Sequence, residues 1–443
     1  FGLLRERDVF LTILTEWLDL KDVVQFDTAC TNHKARASVL SMLSLFSIPF
    51  PFENNSDLYW KHHESILYWL VQRQINPHGV LKVSERVWNM LFTGLNLGSS
   101  LVSQDSTISF VHLIQRLKLT HFLKNPLSFQ HFEFCVNLQE LTISHLPPIS
   151  AASLRKGILP NLRVIQLEYC HINGPLIEFL AECQRIETLS LLRPTIIPNC
   201  LLSIGPELLK RLQRLTVRGN IFSFFQEFGL NQLLNNPPLL AHFQLRAITL
   251  DDFMNASEPF DAPLLFLISK SPQLRNLTLA RTEIKILPLL ASIRQFQKIF
   301  DCLHIDQCRL VQADLTPYEL LCSQDIFPCK SFYFTSIVEW NDALFQEMIR
   351  LLGRNFLQSF TLAFCSMVST ETLQLINQTF PSLQSFQYED EADYLTPYRV
   401  ETVKELFQHV SRVLVRQWDE WQSTREREFG SPSQTLYEKD SKS

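Results

Sequence analysis

NLQELTI, residues 137 to 143, returns at residues 161 to 167 as NLRVIQL. The same spacing of apolar side chains, apolar-x-x-apolar-x-apolar, recurs further along the chain as RIETLSL, RLQRLTV, QLRNLTL, FLQSFTL and SLQSFQY. The first apolar residue of this pattern recurs every 24 to 33 residues, at Ile114, Leu138, Leu162, Ile186, Leu212, Leu245, Leu274, Phe300, Cys329, Leu357 and Leu383. Self-similarity at a period of this length predicts an array of structural repeats.

The pattern of apolar residues in each repeat predicts one short strand, which is followed by a helix in most repeats. The last two apolar positions alternate with polar ones, which is typical of a strand with one buried face. The segments between the strands predict helices in most repeats, as in LIEFLAECQ, PELLKRLQ, LLFLISKS, ALFQEMIRLLG and TLQLINQTF. One such repeat cannot bury its apolar face alone, whereas stacked neighbours share a continuous core. The chain is therefore expected to be α/β, with a curved parallel sheet lined on its outside by helices.

A second periodic feature lies three residues after the last apolar residue of the strand. Cys170, Cys308 and Cys365 occupy this position in three repeats, and Asn220 occupies it in a fourth. Together with the strand pattern, these residues resemble the cysteine-containing, ribonuclease-inhibitor-like class of leucine-rich repeats. The resemblance implies a solenoid of about eleven repeats over residues 111–395. It also implies that these four side chains hydrogen-bond the turning backbone.

The segments on either side of the array have different patterns. Residues 46–110 include IPFPFENNS and ESILYWLVQRQI, which predict a linker and N-terminal cap helices. Apolar residues recur at helical spacing from Val400 to Trp421, which predicts a C-terminal helix over 396–430. This helix either caps the open end of the array or is offered to a partner. The final residues, 431–443, are polar and are expected to be disordered.

The first 45 residues predict a small all-α module of three short helices. Its stretch LDLKDVVQFDTACTNH, residues 18 to 33, resembles an F-box. The family pattern is met at Leu18, Asp19, Leu20, Asp22, Val23, Val24 and Cys30. The sequence departs from that pattern because it lacks the initial Leu-Pro pair, has one extra residue between Ile13 and Leu18, and has His33 in place of Trp.

The F-box resemblance implies that the front module docks a Skp-type adaptor and, through it, a cullin-RING ubiquitin ligase. Helices this short leave apolar side chains partly uncovered. The expected adaptor contact consists of Leu14, Trp17, Leu18, Leu20 and Val23. The alternative is an interaction scaffold unrelated to ubiquitin, in which these helices only cap the solenoid.

The residues between the buried apolar positions of each strand are predicted to face the concave side of the array. Many of them are Thr, which β-propensity alone would place there. The exceptions bring a charge or an amphipathic ring, as residues at binding hot spots do. These candidate client-binding residues are Arg218, Asp251, His304, Asp306 and Tyr333.

Composition and motifs exclude several classes of function. The net charge is −5 and no basic face is visible, so no nucleic-acid partner is expected. No catalytic, metal-binding or nucleotide-binding motif occurs, so we expect neither an enzyme nor a cofactor. No long apolar run predicts a membrane span. The ten cysteines include no CxxC pair, which favours reduced thiols and a cytoplasmic or nuclear location. The sequence thus predicts a non-catalytic recognition protein.

Overall fold

The structure is a computed structural model in which the chain divides into two compact units, Phe1–Ile204 and Gly205–Ser443. It describes residues 25, 48–49, 70–71, 77–78, 81–84, 88, 104–120, 129–148, 159–196, 205–227, 243–252, 261–295, 300–310, 329–337, 341–352, 357–365, 368–391 and 397–418. Apart from Gln25, the F-box-like module over residues 1–45 lies outside the described residues, as does the polar tail over 431–443. The candidate adaptor-docking residues also lie outside them: Leu14, Trp17, Leu18, Leu20 and Val23.

The first unit contains a parallel sheet. The strands described in this unit are β1 (Ile48–Pro49), β2 (Pro77–His78), β3 (Leu81–Ser84), β4 (Arg116–Thr120), β5 (Glu140–Ser144), β6 (Val164–Glu168), β7 (His171–Ile172), β8 (Thr188–Leu192) and β9 (Thr195–Ile196). The helices are α1 (Gln104–Leu113) and α2 (Gly174–Glu182), with a 3-10 helix over Phe129–Phe134. Strands β3, β4, β5, β6 and β8 pair in that order, whereas β1 pairs with β2 and β7 with β9.

The second unit continues the same alternation. Its described strands are β10 (Arg214–Arg218), β11 (Ala247–Asp251), β12 (Asn276–Ala280), β13 (Glu283–Ile284), β14 (Phe300–Asp306), β15 (Arg309–Leu310), β16 (Cys329–Thr335), β17 (Ser359–Ala363), β18 (Ser385–Glu391) and β19 (Arg412–Trp418). The helices are α3 (Gly205–Arg211), α4 (Ile221–Glu227), α5 (Asp261–Lys270), α6 (Ile286–Gln295), α7 (Asp342–Leu352), α8 (Thr370–Thr379) and α9 (Pro397–Leu406). Strands β10, β11, β12, β14, β16, β17, β18 and β19 form one parallel sheet in chain order. Parallel neighbours joined through helices are consistent with a solenoid.

The repeat pattern of the sequence predicts the buried side of both sheets. All eleven residues at the first apolar position are buried, and the most accessible of them, Leu383, is 4% exposed. The next two apolar positions are buried in the same way, as Leu141 and Ile143 show in β5. In the second unit, aromatic rings continue this core from strand to strand, with Phe332 stacked on Phe360 and Phe360 on Phe386. The strand prediction is confirmed at all eleven positions.

Several helices begin with a side chain that accepts a hydrogen bond from a backbone N–H group of the first turn, where no partner exists within the helix. Asn173 Oδ1 accepts from the backbone N–H of Leu176 at the start of α2, and Ser369 Oγ accepts from that of Thr372 at the start of α8. Asp342, in the first turn of α7, also accepts hydrogen bonds from the Ser369 and Thr372 hydroxyls at 2.6 and 2.8 Å. The two neighbouring helices are therefore tied at their N-terminal ends.

The residue after the strand adopts a left-handed backbone in seven repeats, with φ between 47° and 60°: His145, Tyr169, Arg193, Arg281, Gln307, Ser336 and Phe364. Such a conformation is uncommon for residues other than glycine. In six of these seven repeats, the backbone N–H of this residue donates to a carbonyl at or near the end of the strand in the next repeat. Tyr169 donates to Leu192 at 2.7 Å and Gln307 to Thr335 at 2.8 Å. This shared hydrogen bond offsets the strain of the turn.

The prediction of a C-terminal helix over 396–430 is wrong in part. Helix α9 ends at Leu406, and the chain then forms strand β19, which pairs with β18 in the register Phe386 to Val413 and Tyr388 to Val415. The edge of β18 carries backbone groups that only another strand can pair regularly. Val413 and Val415 are β-branched, which favours a strand there.

The array also begins earlier than the sequence predicts. Strand β3 pairs with β4 in parallel, although it lies within the segment 46–110 that was expected to hold a linker and helices. Leu81 and Val83 alternate as buried residues, but the pattern is too short to stand out from its surroundings. Among the described residues, no helix has the length and apolar character needed to cross a membrane.

Candidate functional site

The polar face of the second unit's sheet consists of two rows of side chains in register. We define the central row as Thr216, Thr249, Thr278, His304, Tyr333, Thr361 and Gln387. We define the end row, two residues further along each strand, as Arg218, Asp251, Ala280, Asp306, Thr335, Ala363 and Glu389. Because side chains alternate along a strand, both rows lie opposite the buried apolar positions. All five candidate client-binding residues belong to these two rows.

Arg218 and Asp251 are neighbours in the end row, and the structure adds a third residue to them. The guanidinium of Arg281 donates from Nε to Asp251 Oδ1 at 2.7 Å and from Nη2 to Oδ2. Arg218 Nε lies 3.9 Å from Asp251 Oδ2. The Asp251 side chain is 8% exposed, whereas that of Arg218 is 52% exposed. Two cations therefore share one nearly buried carboxylate, with Arg281 forming the closer contact.

His304, Asp306 and Tyr333 form a second group on β14 and β16, joined by Thr335. The Thr335 hydroxyl lies 2.5 Å from Asp306 Oδ1 and 3.2 Å from His304 Nε2. A hydroxyl has one hydrogen and a carboxylate only accepts, so Thr335 donates to Asp306 and His304 Nε2–H donates to Thr335. The rings of His304 and Tyr333 meet edge to face with centroids 5.7 Å apart.

Burial lowers the pKa of His304, and the charge of Asp306 opposes this effect. The neutral imidazole, protonated on Nε2, is therefore favoured at neutral pH. This group of residues can accept hydrogen bonds and can contact an apolar or cationic side chain through the Tyr333 ring.

Sequence reasoning missed Arg281 and Thr335. Arg281 lies in the turn after β12, so the strand pattern assigns it no face. Its left-handed backbone and its contact with Asp251, 30 residues earlier, depend on the stacking of neighbouring repeats. Thr335 does belong to the strand pattern, but its hydroxyl role depends on register with Asp306. In the sequence, the only indication that Arg281 contacts Asp251 is that the two side chains carry opposite charges.

The polar face of the first unit is organised around a different ion pair. Lys118 Nζ lies 3.2 Å from Glu168 Oε2, two strands away, and the Ser144 hydroxyl donates to the same oxygen at 2.6 Å. The Thr142 hydroxyl donates to Gln166 Oε1 at 3.1 Å, and the two residues are paired in register on β5 and β6. The polar groups of this face are largely paired with one another.

The cysteines at the turn position contact backbone carbonyls. Cys170 Sγ lies 3.2 Å from the Ile143 carbonyl oxygen, Cys308 Sγ 3.3 Å from that of Leu279, and Cys365 Sγ 3.8 Å from that of Phe334. Each carbonyl belongs to the preceding strand of the same sheet, so a thiol links neighbouring repeats. Burial raises the pKa of Cys170 to about 11 and the pKa values of Cys308 and Cys365 to about 12.

Asn220 occupies the same turn position but makes a different contact. Its Oδ1 accepts from the backbone N–H of Ser223 at 2.8 Å, which caps helix α4. The turn position therefore accommodates either a thiol that contacts a carbonyl of the preceding strand or an amide that caps the following helix.

In the part of the chain that the structure describes, no group of three or more His, Cys, Asp or Glu side chains could hold a metal ion.

No protein-family model matches the sequence, and no curated protein matches it. Among solved structures, the chain is similar to the crystal structure of the Rad7 and Elc1 complex in yeast, with a TM-score of 0.31 and 14% sequence identity. The similarity covers 86% of this chain and 95% of that chain. At this TM-score the similarity assigns neither a family nor a partner to the protein.

Proposed function

We propose that this chain is a non-catalytic protein-recognition subunit of the leucine-rich-repeat kind, which binds a client protein on the polar face of its second unit. The observation that carries the proposal is the set of two in-register rows on that face. They bring Arg218, Asp251, His304, Asp306 and Tyr333 onto one surface, although these residues lie in four different strands. Arginine and tyrosine are enriched among the residues that dominate protein interfaces.

The second part of the proposal concerns the front module, residues 1–45. Its resemblance to an F-box supports docking to a Skp-type adaptor of a cullin-RING ubiquitin ligase, with other subunits carrying out ubiquitin transfer. Leu14, Trp17, Leu18, Leu20 and Val23 are the proposed contact. The chain would then act as a substrate receptor that needs no cofactor of its own.

The cysteines support a reducing compartment, the cytoplasm or the nucleus. All seven cysteines among the described residues are free thiols, and six of them are buried. Thiols of this kind persist where glutathione and thioredoxin keep them reduced.

Co-purification from cells with two paired variants tests both parts. The double change Leu20→Asp and Val23→Asp should abolish adaptor recovery, because a buried carboxylate without a partner adds a penalty to the lost apolar contact. It should leave client recovery intact, because the stability of a repeat array depends mainly on nearest neighbours. The double change Arg218→Ala and Tyr333→Ala should do the reverse.

Each variant is the control of the other, since both are full-length chains from the same cells. Recovery of clients without any adaptor would favour the scaffold alternative, in which the front helices only cap the array. Unchanged client recovery with Arg218→Ala and Tyr333→Ala would place the client elsewhere on the protein.

A further inference from the structure

The carboxylates on the strands of the second unit's sheet differ in how their charge is balanced. Asp251 is paired with Arg281 and Arg218. Asp301, at the start of β14, is paired with Lys330 at 2.7 Å. In the part of the chain that the structure describes, Asp306 has no Lys or Arg partner, and its carboxylate accepts from the Thr335 hydroxyl instead. Among the described residues, therefore, no cation balances the half-buried Asp306 carboxylate.

The end-row neighbours of the Asp306–Thr335 pair have small side chains. Ala280 and Ala363 lie on either side of the Asp306–Thr335 pair in the end row, so no long side chain of that row covers the carboxylate. Tyr333 lies two residues before Thr335 on the same strand. Among the described residues, its ring packs edge to face against that of His304, and its hydroxyl makes no hydrogen bond.

Taking the client to be a protein as proposed above, we infer that Asp306 and Tyr333 form the seat for one basic side chain, a lysine or an arginine, of that client. The ammonium or guanidinium group donates to Asp306 as a charge-assisted hydrogen bond. The aliphatic stem of the same side chain lies against the Tyr333 ring, where a cation is also favoured. Thr335 is a positioning residue, because its hydroxyl orients the carboxylate.

The guanidinium groups of Arg218 and Arg281 interact with Asp251, two strands away from Asp306, and leave that group with one net positive charge. Asp306 is the nearer partner for a basic side chain that contacts Tyr333, because β14 and β16 are adjacent. An acidic client side chain would be repelled by the Asp306 carboxylate. The charge of the seat therefore selects a basic side chain and rejects an acidic one.

Selection of short random peptides displayed on phage, with the purified full-length chain as bait, tests the inference. The wild-type chain should enrich peptides with Lys or Arg at one position. Asp306→Asn should lose this enrichment, although Asn keeps the oxygen that accepts from Thr335. Asp306→Lys should instead enrich Asp or Glu at the same position, a reversal that a merely structural role would not produce.

Asp301→Asn is the matched control, because it makes the same change on the same strand at a carboxylate that already has a cation. It should keep the wild-type enrichment. For one selected peptide, replacing its basic residue by Gln should weaken binding about ten- to a hundredfold on the wild-type chain. The same replacement should have little effect on Asp306→Asn.

Peptides selected without a basic residue, or with one that Asp306→Asn still enriches, would overturn the inference while leaving the recognition role intact. Failure to select any peptide would also overturn it, since the seat is inferred to bind one side chain of an exposed segment. The recognition role is judged separately, by the loss of client with Arg218→Ala and Tyr333→Ala.

Discussion

Arg281 holds Asp251 with two hydrogen bonds across neighbouring repeats, from a turn residue with a left-handed backbone at φ 50°. The turn is held in place because the backbone N–H of Arg281 donates to the Asp306 carbonyl of the next strand at 2.9 Å. One residue therefore contacts the repeat before it through its side chain and the repeat after it through its backbone. The side chain of Arg281 therefore holds the Asp251 carboxylate in position on the polar face.

Arg281→Ala should destabilise the protein by about 1–3 kcal/mol, because it leaves the nearly buried Asp251 carboxylate with the distant Arg218 alone. Arg218→Ala should cost only about 0–1 kcal/mol, since its guanidinium is half exposed and lies further away. Urea unfolding of the two variants measures the difference. Equal losses of stability would contradict the dominance of Arg281.

The buried thiols should resist modification. Cys170, Cys308 and Cys365 have raised pKa values, so little thiolate is present at neutral pH. A thiol reagent added to the native protein should label the half-buried Cys302 before these three, as read by mass spectrometry. Rapid labelling of all three in the folded protein would be inconsistent with their structural role.

Enlarging one of these side chains should strain the contact between repeats. Cys308→Phe should lower the free energy of unfolding by about 1–3 kcal/mol through overpacking and loss of the hydrogen bond to Leu279. Cys308→Ala removes the hydrogen bond without overpacking and is expected to cost less. If the two variants unfold at the same urea concentration, the position is not tightly packed.

Asn220 should behave as a helix cap. Asn220→Ala should cost about 1 kcal/mol, because the N–H of Ser223 loses its acceptor, whereas Asn220→Asp should remain close to wild type. Thermal unfolding of both variants measures this. If Asn220→Asp is as unstable as Asn220→Ala, the forward hydrogen bond is not what the residue contributes.

His304 should titrate below its ordinary pKa in the folded protein. Burial lowers the pKa and the neighbouring Asp306 raises it, so Asp306→Asn should lower it further. Because the unfolded chain binds the proton more readily, this residue makes the folded state less stable as pH falls below about 6.5. NMR titration of the imidazole in the wild type, Asp306→Asn and Asp301→Asn measures the pKa of His304 in each protein. A higher pKa in Asp306→Asn than in the wild type would contradict this prediction.

Phe407 closes the core at the C-terminal end of the second unit. Its ring stacks on Phe386 with centroids 3.9 Å apart and an angle of 13° between the planes, and its side chain is fully buried. Phe407→Ala should cost about 3–5 kcal/mol through the cavity that it leaves. The exposed neighbour Gln408 offers a control, since Gln408→Ala should change the unfolding midpoint little. Comparable midpoints for the two variants would argue against a packed end.

Eleven of the repeat strands, and which of their side chains are buried, are predictable from the amino-acid sequence, whereas strands β3 and β19 are not. Leu138 and Leu162 are 24 residues apart, a repeat spacing that predicts stacked strands, because each repeat exposes its apolar face until a neighbour covers it. Alternation within each strand then placed Tyr333 and Asp306 opposite the core. These features depend on residues close together in the chain.

Contacts between residues of different repeats depend on the tertiary structure. Leu414 continues the helical spacing of Phe407 and Val410, yet it lies in strand β19, because the open edge of β18 has backbone groups that need partners. Arg281 reaches Asp251, and Thr335 joins His304 to Asp306, only because parallel pairing sets the register of their strands. Local patterns specify which face a side chain takes, whereas contacts about one repeat apart depend on stacking that no short stretch of sequence encodes.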